Sequence, residues 1–128
     1  MFGLFSRNTL TLAQRATLLL TVVQASLLGY TKHRQWLTAE HRNTVVLNWF
    51  DRNGGKASLS FKAKIGLVGD HMARHLVSTL DEEDLMDMSN FLNHAQHVPP
   101  GTDTTVDSKV RMLLTECERA LIAHGLAS

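Results

Sequence analysis

Among the residues of this chain that could do chemistry, histidine stands out, with seven in all. His71 and His75 have the i, i+4 spacing at which two imidazoles on one helix face can share a metal ion. The pair lacks the companions that such sites use. A zinc protease carries Glu directly after its first His, where this chain has Met72, and di-iron bundles use Glu-x-x-His pairs, which the sequence does not contain. His94 and His97 form a second pair at i, i+3, but they project with Asp87 and Asn90, opposite Leu85, Met88 and Leu92, and should meet water. No metal site or cofactor is therefore assigned, and His71 and His75 stand as a candidate pair for a metal or small-molecule-binding bundle.

Other reactive patterns fail on their own spacing. Asp51-Arg52-Asn53-Gly54-Gly55 opens like a calcium loop, yet its sixth position is Lys56 instead of Gly and its twelfth is Lys62 instead of Glu. Gly54-Gly55-Lys56 lacks the upstream Gly of a phosphate-binding loop and is followed by Ala57. The single cysteine, Cys117, lies on an apolar stripe between Leu114 and Leu121, flanked by Glu116 and Glu118. Burial and negative neighbours both raise a thiol's pKa, so this cysteine should be inert. No catalytic residue is assigned, and the chain is not expected to be an enzyme.

Charge gives the strongest remaining signal. Residues 1–64 carry nine Lys and Arg against Glu40 and Asp51, a balance of +7, whereas residues 65–128 carry four basic and ten acidic residues, a balance of −6. Either the halves pack and neutralise one another, or each presents its own face to a partner. In the basic stretch 32–64, Lys32, Arg34, Arg42, Arg52, Lys56, Lys62 and Lys64 are interleaved with Trp36, Trp49, Phe50 and Phe61. Such a mixture can grip a nucleic-acid backbone and stack on bases. Trp36, Phe50 and Phe61 read as core. Trp49 lies off the main stripe beside Val45, near Arg42 and Arg52 on the helical wheel, and Trp with Arg is the composition of interface hot spots. Arg42, Val45, Trp49, Arg52 and Lys56 are accordingly the expected partner-binding residues.

The elements that must position these residues are helices. At 128 residues with 44% hydrophobic and 20% charged residues, the chain has the size and make-up of one globular domain spanning 1–128. Its apolar spacing follows the helical period, and alternating strand patterns are scarce. A first helix is expected from Asn8 or Thr9 to about Gly29, central because its only polar stripe is Thr11, Gln14, Thr17, Thr21 and Gln24. A second runs from Thr31 or Thr38 to about Arg52, stopped by the Gly pair, with Trp36, Ala39, Val46, Leu47 and Phe50 on one side and Val45 and Trp49 around the corner. A third starts at Ser58 or Ser60, with Gly66, Gly69 and Ala73 forming a smooth stripe for a close neighbour. Thr79-Leu80-Asp81-Glu82 reads as the capping box of a fourth helix, which must end before Pro99 and Pro100. A fifth runs from about Asp107 to His124, closed by Gly125.

The uncharged run from Ala16 to Thr31 falls short of the ~20 residues that span a bilayer, so no membrane span is expected. Val23-Gln24-Ala25 resembles a signal-peptide cleavage site, but the stretch preceding Ala16 is too long and polar for a leader, and cleavage would discard a core helix. With one cysteine and no disulfide framework, a reducing cytoplasm is the expected compartment. The expectation is an all-α, single-domain bundle of about five helices. It acts without catalysis by binding another protein, as an adaptor, inhibitor or regulator. The alternative is a nucleic-acid-binding module using residues 32–64, and the third reading is the His71/His75 bundle. The broad apolar second helix also leaves homodimerisation open.

Overall fold

The computed structural model describes residues 8–128. Arg7 and the rest of residues 1–7, which the single-domain reading includes, lie outside the described residues. Five α-helices follow in order: α1 (Leu12–His33), α2 (Ala39–Asn53), α3 (Leu59–Thr79), α4 (Glu82–Ala95) and α5 (Thr104–Ala123). The described residues contain no strand, and the all-α bundle stands.

Each helix starts where a short polar side chain can accept an orphan amide hydrogen. At α1 a reciprocal capping box does this: Gln14 N donates to Thr11 Oγ1 at 3.1 Å, and Thr11 N donates to the Gln14 side chain at 2.8 Å. The start therefore falls at Leu12, later than Asn8 or Thr9. Thr38 and Ser58 cap α2 and α3. At α4 the expected box is corrected. Thr79 is the last residue of α3, its hydroxyl donating back to the His75 carbonyl at 3.0 Å, and Asp81 caps instead, accepting from Asp84 N at 2.8 Å. Asp103 caps α5, accepting from Thr105 N and Val106 N.

Helix α1 runs four residues past Gly29, because a glycine there lets the chain fold back closely. A Cβ at Gly29 would sit 3.2 Å from the Gln35 carbonyl oxygen. Arg34, at φ 54°, makes the left-handed stop. Trp36 consequently lies in the α1–α2 connection and not on α2, half-buried and stacked on Tyr30 at 4.7 Å. Gly54 ends α2 with positive φ, as the Gly pair implied.

Helix α1 is the hub, packing against all four other helices, while α2 also packs against α3. Leu18, Leu19, Val22 and Leu27 of α1 are fully buried. By length and composition alone α1 is long and apolar enough to cross a membrane, and in this fold 44% of that stretch is buried against its neighbours. One core cluster joins α1 to Val46, Trp49, Phe50, Phe61, Ile65 and Leu121. A second joins Val23 and Leu27 to Ala73, Leu85 and Leu92.

Two polar devices lock this packing. The buried Arg15 donates from Nε to the Leu10 carbonyl and from Nη1 to the Leu126 carbonyl, both at 3.0 Å, with its guanidinium over the Phe61 ring. Burial holds its pKa below the usual arginine value. Thr31 and Ser89 share a hydroxyl hydrogen bond of 3.1 Å that ties α1 to α4.

The smooth stripe of α3 takes a close neighbour at Gly69 but not at Gly66. A Cβ at Gly69 would lie 2.4 Å from Val22 Cγ1 and 2.7 Å from Val22 Cβ, so the two helices meet where no side chain fits. Gly69→Ala is expected to destabilise the fold by about 1–3 kcal/mol through overpacking, outweighing the roughly 0.5–1 kcal/mol that alanine gains in helix propensity. At Gly66 a Cβ would meet only Arg42 Cβ at 3.7 Å, so Gly66→Ala should stabilise. Denaturant titration of the two variants should give opposite signs, and Gly69→Ala should cost less in a Val22→Ala background; equal responses would contradict this packing.

Candidate functional site

The five expected partner-binding residues are not brought together as one exposed patch. Trp49 is 3% exposed and packs edge-on against Phe50 at 5.2 Å, inside the core. The correction has a simple cause. Because α2 packs against both α1 and α3, the Trp49 flank of its apolar arc is covered along with Val46 and Phe50, Val45 is half-buried beside the same cluster, and Ala39 and Leu47 are the members left exposed. Arg42 is spent on structure. Its Nη1 donates to the Leu37 carbonyl at 3.1 Å and lies 3.9 Å from Asp70, whose other oxygen accepts from Arg74 Nε at 2.9 Å. Arg52 and Lys56 are exposed, and the Lys56 backbone pairs with Thr9 in both directions, at 2.8 and 2.9 Å. Among the aromatics interleaved with basic residues, Trp49, Phe50 and Phe61 are buried and out of reach of a base. Trp36 lies beneath the Arg74 guanidinium at 4.7 Å.

A concave site is found instead between α3 and α5. The two helices lean on α1 separately, leaving a cleft floored by Leu20 and Val23. Met72 and Leu76 of α3, Met88 and Leu92 of α4, and Leu113 of α5 line a pocket of about 410 Å³. His71, His75 and Glu116 supply its polar groups. His71 also borders an adjoining hollow of about 320 Å³, lined by Lys64, Leu67, Val68, His124 and Leu126. From Lys64 to Leu76 the α3 wall runs for about 18 Å at the helical rise per residue.

His71 and His75 therefore do border one site, and both are exposed. No group of three or more His, Cys, Asp or Glu residues among the described residues could hold a metal ion. His94 and His97 are exposed, away from the core. Sequence reasoning missed Met72, Leu76, Met88, Leu92 and Leu113 as wall residues, because a stripe facing a cleft and one facing a core have the same period. The one usable signal was the pair of histidines one turn apart beside that stripe.

Cys117 closes the deep side of the cleft and is buried. Burial, reinforced by Glu116 and Glu118, pushes its thiol up to about 12, so it is a protonated wall atom and not a nucleophile.

The chain matches no family model, and comparison with curated proteins and with solved structures finds no significant similarity.

The thiol gives a pH prediction. Between the ordinary value of 9.0 and about 12, the unfolded chain releases this proton while the folded chain keeps it. Folding stability must therefore fall as pH rises through that window, and is unaffected by this group below it. Cys117→Ala should flatten the decline, measured as the difference in denaturation free energy between about pH 8 and about pH 10.5. Parallel slopes for the two proteins would show that the thiol ionises normally in the fold.

Proposed function

We propose that this is a small non-enzymatic binding protein, an adaptor, inhibitor or regulator, that takes an amphipathic helix of another protein into the α3–α5 cleft. The observation that carries this reading is the length of the cleft. Val68, Met72 and Leu76 follow one another every fourth residue along α3 with Leu67 beside them, a wall of about two and a half turns against which an incoming amphipathic helix can lay its apolar stripe. A site for a compact small molecule would need only one turn.

Its make-up supports the same reading. Unbranched Met72 and Met88 can re-pack around a partner's side chains. Lys64, His71, His75, Glu116 and His124 set a polar rim around the apolar floor, the arrangement of binding sites that exclude water at the centre. Leu67 is exposed at the edge, where a soluble surface gains nothing from a leucine. A reducing cytoplasm suits a chain whose one cysteine is buried.

A photoreactive side chain placed at His75 in the native cell should crosslink one discrete polypeptide, while the same group at Asn48, exposed on α2, should not. Leu67→Glu should lower the His75 adduct by about tenfold or more, the loss typical of a hot-spot residue, with the thermal midpoint unchanged. An adduct indifferent to Leu67→Glu, or none from any cleft position, would overturn the reading.

A further inference from the structure

The charge split along the sequence is only partly neutralised within the fold. Among the described residues two ion pairs cross between the halves, Arg34–Glu82 and Arg42–Asp70. Among the described residues, Arg52, Lys56, Lys62 and Lys64 of the basic half have no carboxylate within 4.0 Å, and Glu83, Asp84, Asp87, Asp103 and Asp107 of the acidic half have no cation within that distance. The most exposed apolar side chain of each half also stands beside a hollow. On the basic side, Leu59 is 82% exposed at the rim of a hollow of about 270 Å³ between α2 and α3, lined also by Asn43, Val46, Leu47 and Lys62. On the acidic side, Met112 is 70% exposed at a hollow of about 330 Å³ between α4 and α5, with Asp84, Asp87, Met88, Phe91 and Lys109.

We infer that these two faces are complementary surfaces of one heterologous contact, by which copies of this chain associate head to tail. Leu59 of one copy enters the α4–α5 hollow of the next. Lys62, one turn along α3, then stands beside Asp84 and Asp87, themselves one turn apart on α4. Met112 in turn meets the hollow beside Leu47. Exposed leucine and methionine are covered together with unpaired charges of opposite sign, which steers the encounter and fixes its register. The two surfaces differ, so one such contact leaves a free head and a free tail, and copies add until a ring closes. This goes beyond the binding reading above: it uses other hollows, and its failure leaves the α3–α5 cleft untouched.

Sedimentation velocity on the full chain tests it. Weight-average mass at low salt should rise with concentration past twice the 14.3 kDa monomer, and fall back toward monomer between about 0.02 M and about 0.5 M salt as screening shortens. Leu59→Ser/Lys62→Gln removes the head, and Asp87→Lys/Met112→Lys blocks the tail. Each variant alone should be monomeric, with unchanged circular dichroism. Mixed, they retain one intact head and one intact tail, and should form a 1:1 dimer that grows no further. Wild-type protein that stays monomeric at low salt, assemblies that survive either pair of changes, or a mixture that stays monomeric would each overturn the proposal.

Discussion

Gly69 against Val22 is the contact on which the arrangement turns. The absence of a side chain at one position of α3 lets a β-branched residue of α1 approach to the backbone, closer than any Cβ would allow. That approach commits α3 to α1, and α5 packs on α1 independently. A hub helix with clients that each face inward is left uncovered between two of them. The α3–α5 cleft, with Leu20 and Val23 at its floor, is the geometric residue of this choice. The Arg42–Asp70–Arg74 set adds the second restraint on α3, holding its outer flank to α2.

Helix number, order and most termini were legible because they depend on local chemistry. Thr38, Ser58 and Gly54 act at their own positions whatever packs nearby. The misreadings came where tertiary contact decided the outcome. Thr79 and Asp81 both offer a capping oxygen, and α3 extends far enough to absorb Thr79, leaving Asp81 to start α4. Trp49 looked like a surface residue because it lies off the main stripe of α2. A helix wedged between two others buries the Trp49 flank as well as the main stripe, and the broad apolar arc was the mark of that added burial.

The site was less legible than the fold. Periodicity reports that a residue faces inward, and says nothing of whether another helix arrives to fill the space it faces. Met88 and Leu113 are half-buried wall residues for this reason, although their spacing is that of core residues. The charge asymmetry could be counted from the sequence. How little of it is spent inside the fold depends on which residues α1 brings within reach, and only Arg34 with Glu82 and Arg42 with Asp70 bridge the halves among the described residues.

Arg15 joins two carbonyls that lie far apart in the chain, those of Leu10 and of Leu126, the latter 111 residues beyond Arg15 itself. The second acceptor is in place only when the stretch that follows α5 has docked beside the opening turn of α1. Until then the guanidinium of the earliest helix has no full replacement for its hydration, and a cation dehydrated without partners is strongly disfavoured. The start of the hub therefore stays partly wet until Leu126 reaches it. Any local opening around Leu126 readmits water to the first turn of the first helix, so one side chain couples two segments that the sequence holds far apart.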